Sequence, residues 1–208
     1  MNKCSSCNNN KFYTLANSYI KCTKCKRKYS LKKIQKQKDL INKFCQNKTA
    51  LETSKLLKLN YITVSKKFKE LRILIIEYLD QNYQRIKHYS NEFDEYIYTK
   101  NDEIYKAHNF LTFNYNNYIY NLMLPNLYKF NHFYKEDTSL SKFLFHNKIA
   151  KLESKNSLIN DFWLYFEEFI KKYKGVDKKN FILYLKESEF KFNHKKEDQE
   201  DILLSLIN

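Results

Sequence analysis

The sequence predicts an α+β chain: a small sheet held by cysteines, then helices, then a second antiparallel sheet that gives way to helices. Three observations carry this expectation. Four cysteines fall as two Cys-x-x-Cys pairs, Cys4/Cys7 and Cys22/Cys25, with short strand-like runs between them. From about residue 31 to 79 the apolar residues recur at helical spacing. Residues 92–98, 110–115 and 118–123 alternate with the period of strands, and helical stripes follow them.

The cysteines come first. A Cys-x-x-Cys segment folds into a tight knuckle that points two thiolates at one centre, and two knuckles complete a tetrahedral sulfur site. The fourteen residues between the pairs put Cys4, Cys7, Cys22 and Cys25 within zinc-ribbon spacing. A rubredoxin-like iron site would use the same four ligands. A thioredoxin-type redox pair needs one Cys-x-x-Cys beside a βαβ pattern, whereas two pairs stand here in a polar, lysine-rich segment. Nothing at the N-terminus resembles a secretory signal, so a reducing, cytoplasmic setting is expected, with thiols rather than disulfides. A segment this short and polar has little core of its own, and structural Zn2+ would supply its folding energy. Residues 11–15 and 18–21 read as the strands of such a ribbon.

Next come the helices. Lys32, Lys33, Lys36 and Lys38 interleave with Leu31, Ile34, Leu40 and Ile41, an amphipathic helix with a basic outer face. Thr49 with Glu52 three residues on is a capping-box start for a short helix. A turn at Leu59-Asn60 leads into a second helix from Tyr61, with Val64, Phe68 and Leu71 facing inward. This is a helix-turn-helix pattern, whose second helix enters the major groove by its N-terminal residues. Tyr61, Thr63, Ser65, Lys66, Lys67 and Lys69 are therefore the candidate DNA-contacting residues. The bland alternative is a helical hairpin with a lysine-rich solvated face. Cys45 is expected as a buried thiol rather than a fifth ligand.

In the second half, Asn116-Asn117 suits a tight hairpin turn between the second and third strands. From about residue 138 the pattern is helical. Leu158, Phe162, Phe166 and Ile170 form a stripe flanked by Trp163 and Phe169, and Gly175 is expected as that helix's C-cap. Residues 181–192 read as a helix, although their alternation also permits a strand, and 202–207 as a short closing helix. The segments are thus 1–30, 31–86 and 87–208.

Composition bounds the function. Lys+Arg 38 against Asp+Glu 23 gives a net charge of +15 and a pI of about 9.4. A chain this basic most often meets nucleic acid, because neutralising phosphates releases counterions. No apolar run approaches the roughly 18–20 residues that span a bilayer, so a soluble protein is expected. The five histidines are scattered without metal spacing.

The chain resembles a known family, the bacterial insertion-sequence transposases of the DDE type that carry an N-terminal zinc ribbon. The likeness rests on the second knuckle with its basic residues and Tyr29-Ser30, and on the helix-turn-helix that follows. Phe93-Asp94-Glu95-Tyr96 is similar to the family's Asp-Glu first-strand motif. Phe162-Trp163, Gly175-Val176, Leu185-Lys186-Glu187 and Glu189-Phe190-Lys191-Phe192-Asn193 are similar to its C-terminal signature. The resemblance implies a shortened RNase H-like α/β core over 87–208, double-stranded DNA as partner, a homodimer, and Mg2+ or Mn2+ held by three carboxylates for strand cleavage and transfer. It makes Asp94 the first carboxylate. The last lies three residues before the Trp, where this chain has Asn160; neighbouring Asp161 stands about 100° round the helix. Asp137 is the nearest candidate for the middle carboxylate. Two functions follow: a transposase that cuts and joins DNA, or a catalytically inactive, transposase-derived DNA-binding regulator or accessory factor. A zinc-ribbon regulator unrelated to transposition leaves the C-terminal signature unexplained.

Overall fold

The computed structural model describes residues 3–87, 90–98, 108–124, 157–173 and 175–207. Among them the chain is α+β, with six α-helices and two three-stranded antiparallel sheets. It divides into two compact units, residues 1–74 with 195–208, and residues 75–194.

In the first unit, β1 (Phe12–Leu15), β2 (Tyr19–Cys22) and β3 (Lys28–Ser30) form a meander in that order. β3 is an element the sequence reading lacked, since three residues of Lys-Tyr-Ser carry no alternation. Ser30 ends it and caps α1 (Leu31–Cys45), its hydroxyl accepting from the Lys33 N–H. Asn47 at φ 57° stops the chain from continuing that helix. The Thr49/Glu52 capping box forms and starts α2 (Ala50–Leu56). The turn 57–60 then leads to α3 (Tyr61–Ile86), where the Asn60 side chain accepts from the Ile62 N–H. Val64, Phe68 and Leu71 are buried, and Phe68 packs edge-on against Phe44 of α1 at 5.0 Å between ring centroids. The closing helix, α6 (Lys196–Ile207), is longer than the sequence pattern indicates and packs on α1, with Asn42 donating to Glu200 at 2.7 Å.

In the second unit, β4 (Ser90–Tyr98), β5 (His108–Tyr115) and β6 (Ile119–Met123) pair in sequence order. The Asn116-Asn117 turn takes φ of 52° and 67°, the left-handed pair a tight hairpin needs. One face of the sheet is covered by α4 (Leu158–Lys171) and α5 (Phe181–Asn193). Phe110, Ile119, Ile159, Phe162, Trp163, Phe166, Ile170, Phe181 and Leu185 make the core. Each such aromatic stabilises by about 1.5–3 kcal/mol on burial. α4 ends at Lys171 with Lys172 as its C-cap, so Gly175 is not the cap; it takes φ +83° three residues further on, where the chain turns. Residues 181–193 are helical, which resolves the helix-or-strand ambiguity.

The polar residues of α5 fasten it to β6, the edge of the sheet. Asn121 donates its backbone N–H and its side-chain amide to Glu189, both at 2.9 Å. The Asn193 side chain accepts from the Ile119 N–H at 2.9 Å and donates to the Ile119 carbonyl at 2.6 Å. Lys186 pairs with Glu189 at 3.1 Å and lies 3.6 Å over the Tyr120 ring. Both charges are buried, so the pairing offsets their desolvation.

Candidate metal centre and basic surface

The two knuckles close alike. The Asn8 N–H donates to the Cys4 carbonyl at 2.8 Å, and the Lys26 N–H to the Cys22 carbonyl at 3.2 Å. Each donor takes a left-handed backbone, φ 56° and 60°, so neither knuckle uses glycine there. The turns bring the sulfurs of Cys4, Cys7, Cys22 and Cys25 all within 4.8 Å of one another. Cys4 and Cys25 stand 3.4 Å apart, Cys7 and Cys22 3.6 Å. A metal bound at about 2.3 Å to four sulfurs sets their separations near about 3.8 Å, so the cluster fits one tetrahedral ion. All are free thiols, and among the described residues this is the only such cluster. Cys45 lies apart from it, buried in α1.

A second layer tunes the sulfurs. The Tyr29 hydroxyl, 3.1 Å from the Cys4 sulfur, holds that thiol down to about 6 despite burial. Cys7, although the Asn9 backbone N–H favours its thiolate, is pushed up to about 11 by burial and by hydrogen bonds among the four sulfurs. The Asn9 amide donates to the Cys22 sulfur at 3.5 Å, to Thr23 at 2.7 Å and to the Lys11 carbonyl at 2.8 Å, tying one knuckle to the other. Sequence reasoning missed Asn9. An amide two residues after a cysteine pair carries no signature until the second knuckle is placed beside it.

The expected DNA-contacting residues lie on one open stretch of α3. Tyr61, Thr63, Lys66, Lys67 and Lys69 are exposed, and Ser65 is half-buried beside inward Val64. Lys67 pairs with Glu70 at 2.5 Å. Charge is partitioned along the chain: residues 1–74 hold 19 Lys and Arg against 3 acidic residues, while residues 75–208 hold 19 against 20. The entire excess therefore belongs to residues 1–74.

Among the described residues, the acidic candidates of the second unit do not gather into a cluster. Asp94 sits in β4 opposite Thr112, on the face that carries Tyr96 and Tyr98 against α4. Its Oδ1 accepts from the Glu95 N–H at 2.8 Å, while Oδ2 is buried with no hydrogen-bond partner among the described residues. Burial raises its carboxyl above the usual carboxylate range. Asn160 lies half-buried in the first turn of α4, one turn before Trp163, and Asp161 is exposed beside it. Asp137 falls outside the described residues. One carboxylate and one amide do not supply the negative charge that a pair of divalent cations requires, so the described residues do not fit a Mg2+ or Mn2+ pair.

Fold and site together define an α+β protein whose strongly basic first unit carries a four-cysteine cluster able to hold a metal ion such as zinc. No protein-family model matches the chain, and no curated protein or solved structure matches it either. Among the described residues no helix is long and apolar enough to cross a membrane.

Proposed function

We propose that the chain is a DNA-binding protein of the transposase type, recognising DNA through a zinc ribbon and a helix-turn-helix, with α3 of the latter on the duplex. The observation that carries this reading is the exposed start of α3. Tyr61, Thr63, Lys66 and Lys69 stand open over a buried Val64/Phe68/Leu71 stripe, within the part of the chain that holds all the excess positive charge. In this reading α2, the turn 57–60 and α3 are the motif, and zinc orders the ribbon in front of it.

The test is a titration of a labelled mixed-sequence duplex at several salt concentrations. Lys66→Ala and Lys69→Ala should each weaken binding and flatten the log–log salt slope by about one. Lys67→Ala should do less, because Glu70 already partners that ammonium. Unchanged slopes in both Lys66 and Lys69 variants sink the reading.

For the second unit, the α4/α5-covered sheet is compatible with a shortened RNase H-like core, and two readings divide it. Metal-dependent strand cleavage needs Asp94 with two further carboxylates. A core kept as an inactive scaffold, the regulator or accessory factor, is favoured by Asn160 standing where the resemblance calls for a carboxylate. A Mn2+ calorimetric titration of the zinc-loaded protein beside Asp94→Asn separates them. Saturable binding lost in the variant supports cleavage; no binding in either supports the scaffold.

A further inference from the structure

The two faces of the small sheet differ in kind. Across the paired strands Phe12 faces Cys22, Thr14 faces Ile20 and Ile20 faces Tyr29, so the buried metal cluster, Phe12 and Tyr29 share one face. The other face carries Tyr13 opposite Lys21, Leu15 opposite Tyr19, and Lys21 opposite Lys28. Tyr13 is 54% exposed and Tyr19 43%. Two lysines placed directly across from each other repel, which destabilises an isolated sheet. Their own segment offers no acid to relieve this: residues 1–38 contain no Asp or Glu at all. Lys26 adds a third ammonium, 5.5 Å over the Tyr13 ring.

From these observations we propose that this open face of the sheet is a second DNA surface, one that takes single-stranded rather than duplex DNA. Exposed rings among unneutralised lysines are what an unpaired strand needs: planes for its bases to stack on and ammonium groups for its phosphates. Tyr13 and Tyr19 are diagonal neighbours across β1 and β2, roughly 7–8 Å apart by sheet geometry. That separation suits consecutive bases of a stretched strand and not the closed stack of a duplex. DNA rather than RNA is the occupant because β3 runs straight into α1 of the same unit. The α3 face of that unit is read here as a duplex-DNA reader, and the inference rests on that reading; the deep, narrow major groove of an RNA helix would not admit α3. The ribbon would hold an opened strand beside the duplex that α3 grips.

The test uses the full zinc-loaded chain and three labelled probes: oligo-thymidine, oligo-uridine and a mixed-sequence duplex. Tyr13→Thr and Tyr19→Thr keep a β-branched residue in each strand. Each should weaken oligo-thymidine binding by about five- to a hundred-fold while changing duplex binding by less than about twofold. Tyr13→Phe and Tyr19→Phe keep the ring and should bind oligo-thymidine like the unaltered chain. Retained zinc shows that each variant is folded. Oligo-thymidine binding unchanged in both threonine variants overturns the proposal, as does a parallel fall in duplex binding. Tighter binding of oligo-uridine overturns the assignment to DNA. Failure of the α3 reading looks different: Lys66→Ala and Lys69→Ala would leave duplex binding intact while the tyrosine effect on oligo-thymidine remained.

Discussion

The ribbon sheet of the first unit and the whole of the second unit hold themselves together by opposite means. In the first, the ribbon sheet has almost no apolar interior; Ile20 is its one buried hydrophobic residue besides Cys4 and Cys22. Its order depends on four sulfurs converging on one point, and every charged side chain in residues 1–30 is positive. In the second, Phe, Trp and Tyr rings interlock under a sheet, Lys186/Glu189 and Lys191/Glu187 pair in the interior, and charge is close to balanced. A sheet whose charged groups are all positive cannot relieve its own repulsion internally, and a metal held by its cysteines would supply the stability it lacks. The second unit relies on burial instead.

That contrast can be broken most forcefully at the cysteines. Cys22→Ser is expected to abolish stoichiometric metal and unfold residues 3–30, read as loss of their amide dispersion, while the second unit keeps its aromatic near-UV signal. A variant with full metal content and native shifts would show the ribbon to be self-supporting. Phe166→Ala should do the reverse. It removes a fully buried ring from the aromatic core and should cost about 3–5 kcal/mol in urea unfolding, with metal content untouched.

The smallest effect sharpens the comparison inside the second unit. Asp94 keeps a buried, unpartnered carboxylate oxygen, and burial raises its folded-state pKa. The protonated form is thus the one the fold favours, and stability is lost as pH rises from the ordinary carboxylate range through the raised value. Asp94→Asn mimics the protonated form. It should raise Tm slightly at pH 7, by no more than about 2 °C given the partial exposure of the site, and lose that advantage toward acidic pH. A lower Tm at pH 7 would mean that the charge at Asp94 is stabilised by something the described residues do not supply.

The parts legible in the sequence were those with a period or a fixed spacing. Two Cys-x-x-Cys pairs announce a cluster. Val64, Phe68 and Leu71 announce a helix face, and the run from Phe93 to Tyr98 announces a strand. The Thr49/Glu52 box and the Asn116-Asn117 turn declare themselves through local chemistry that needs no tertiary partner. What stayed hidden depended on distant residues meeting. Tyr29 and Asn9 bond the metal-site sulfurs only once both knuckles have closed. The division within α3 near residue 74 is invisible because helical periodicity runs through it without interruption. The return of α6 to α1, with Asn42 on Glu200, links residues more than 150 positions apart. For the acidic candidates, pattern placed Asp94 on a strand, yet no spacing rule could say whether partners would converge on it.

Asn193 carries a consequence for life in a crowded solution. A sheet that ends in a strand such as β6 offers its outer amide and carbonyl groups to any extended peptide, including β6 of another copy. At Ile119 both groups are occupied by a single side chain of α5, and at Asn121 the amide is held by Glu189. Those bonds leave these groups with no capacity to pair with a foreign strand. Where they are lost, as in Asn193→Ala, the outer groups of Ile119 become free to do so.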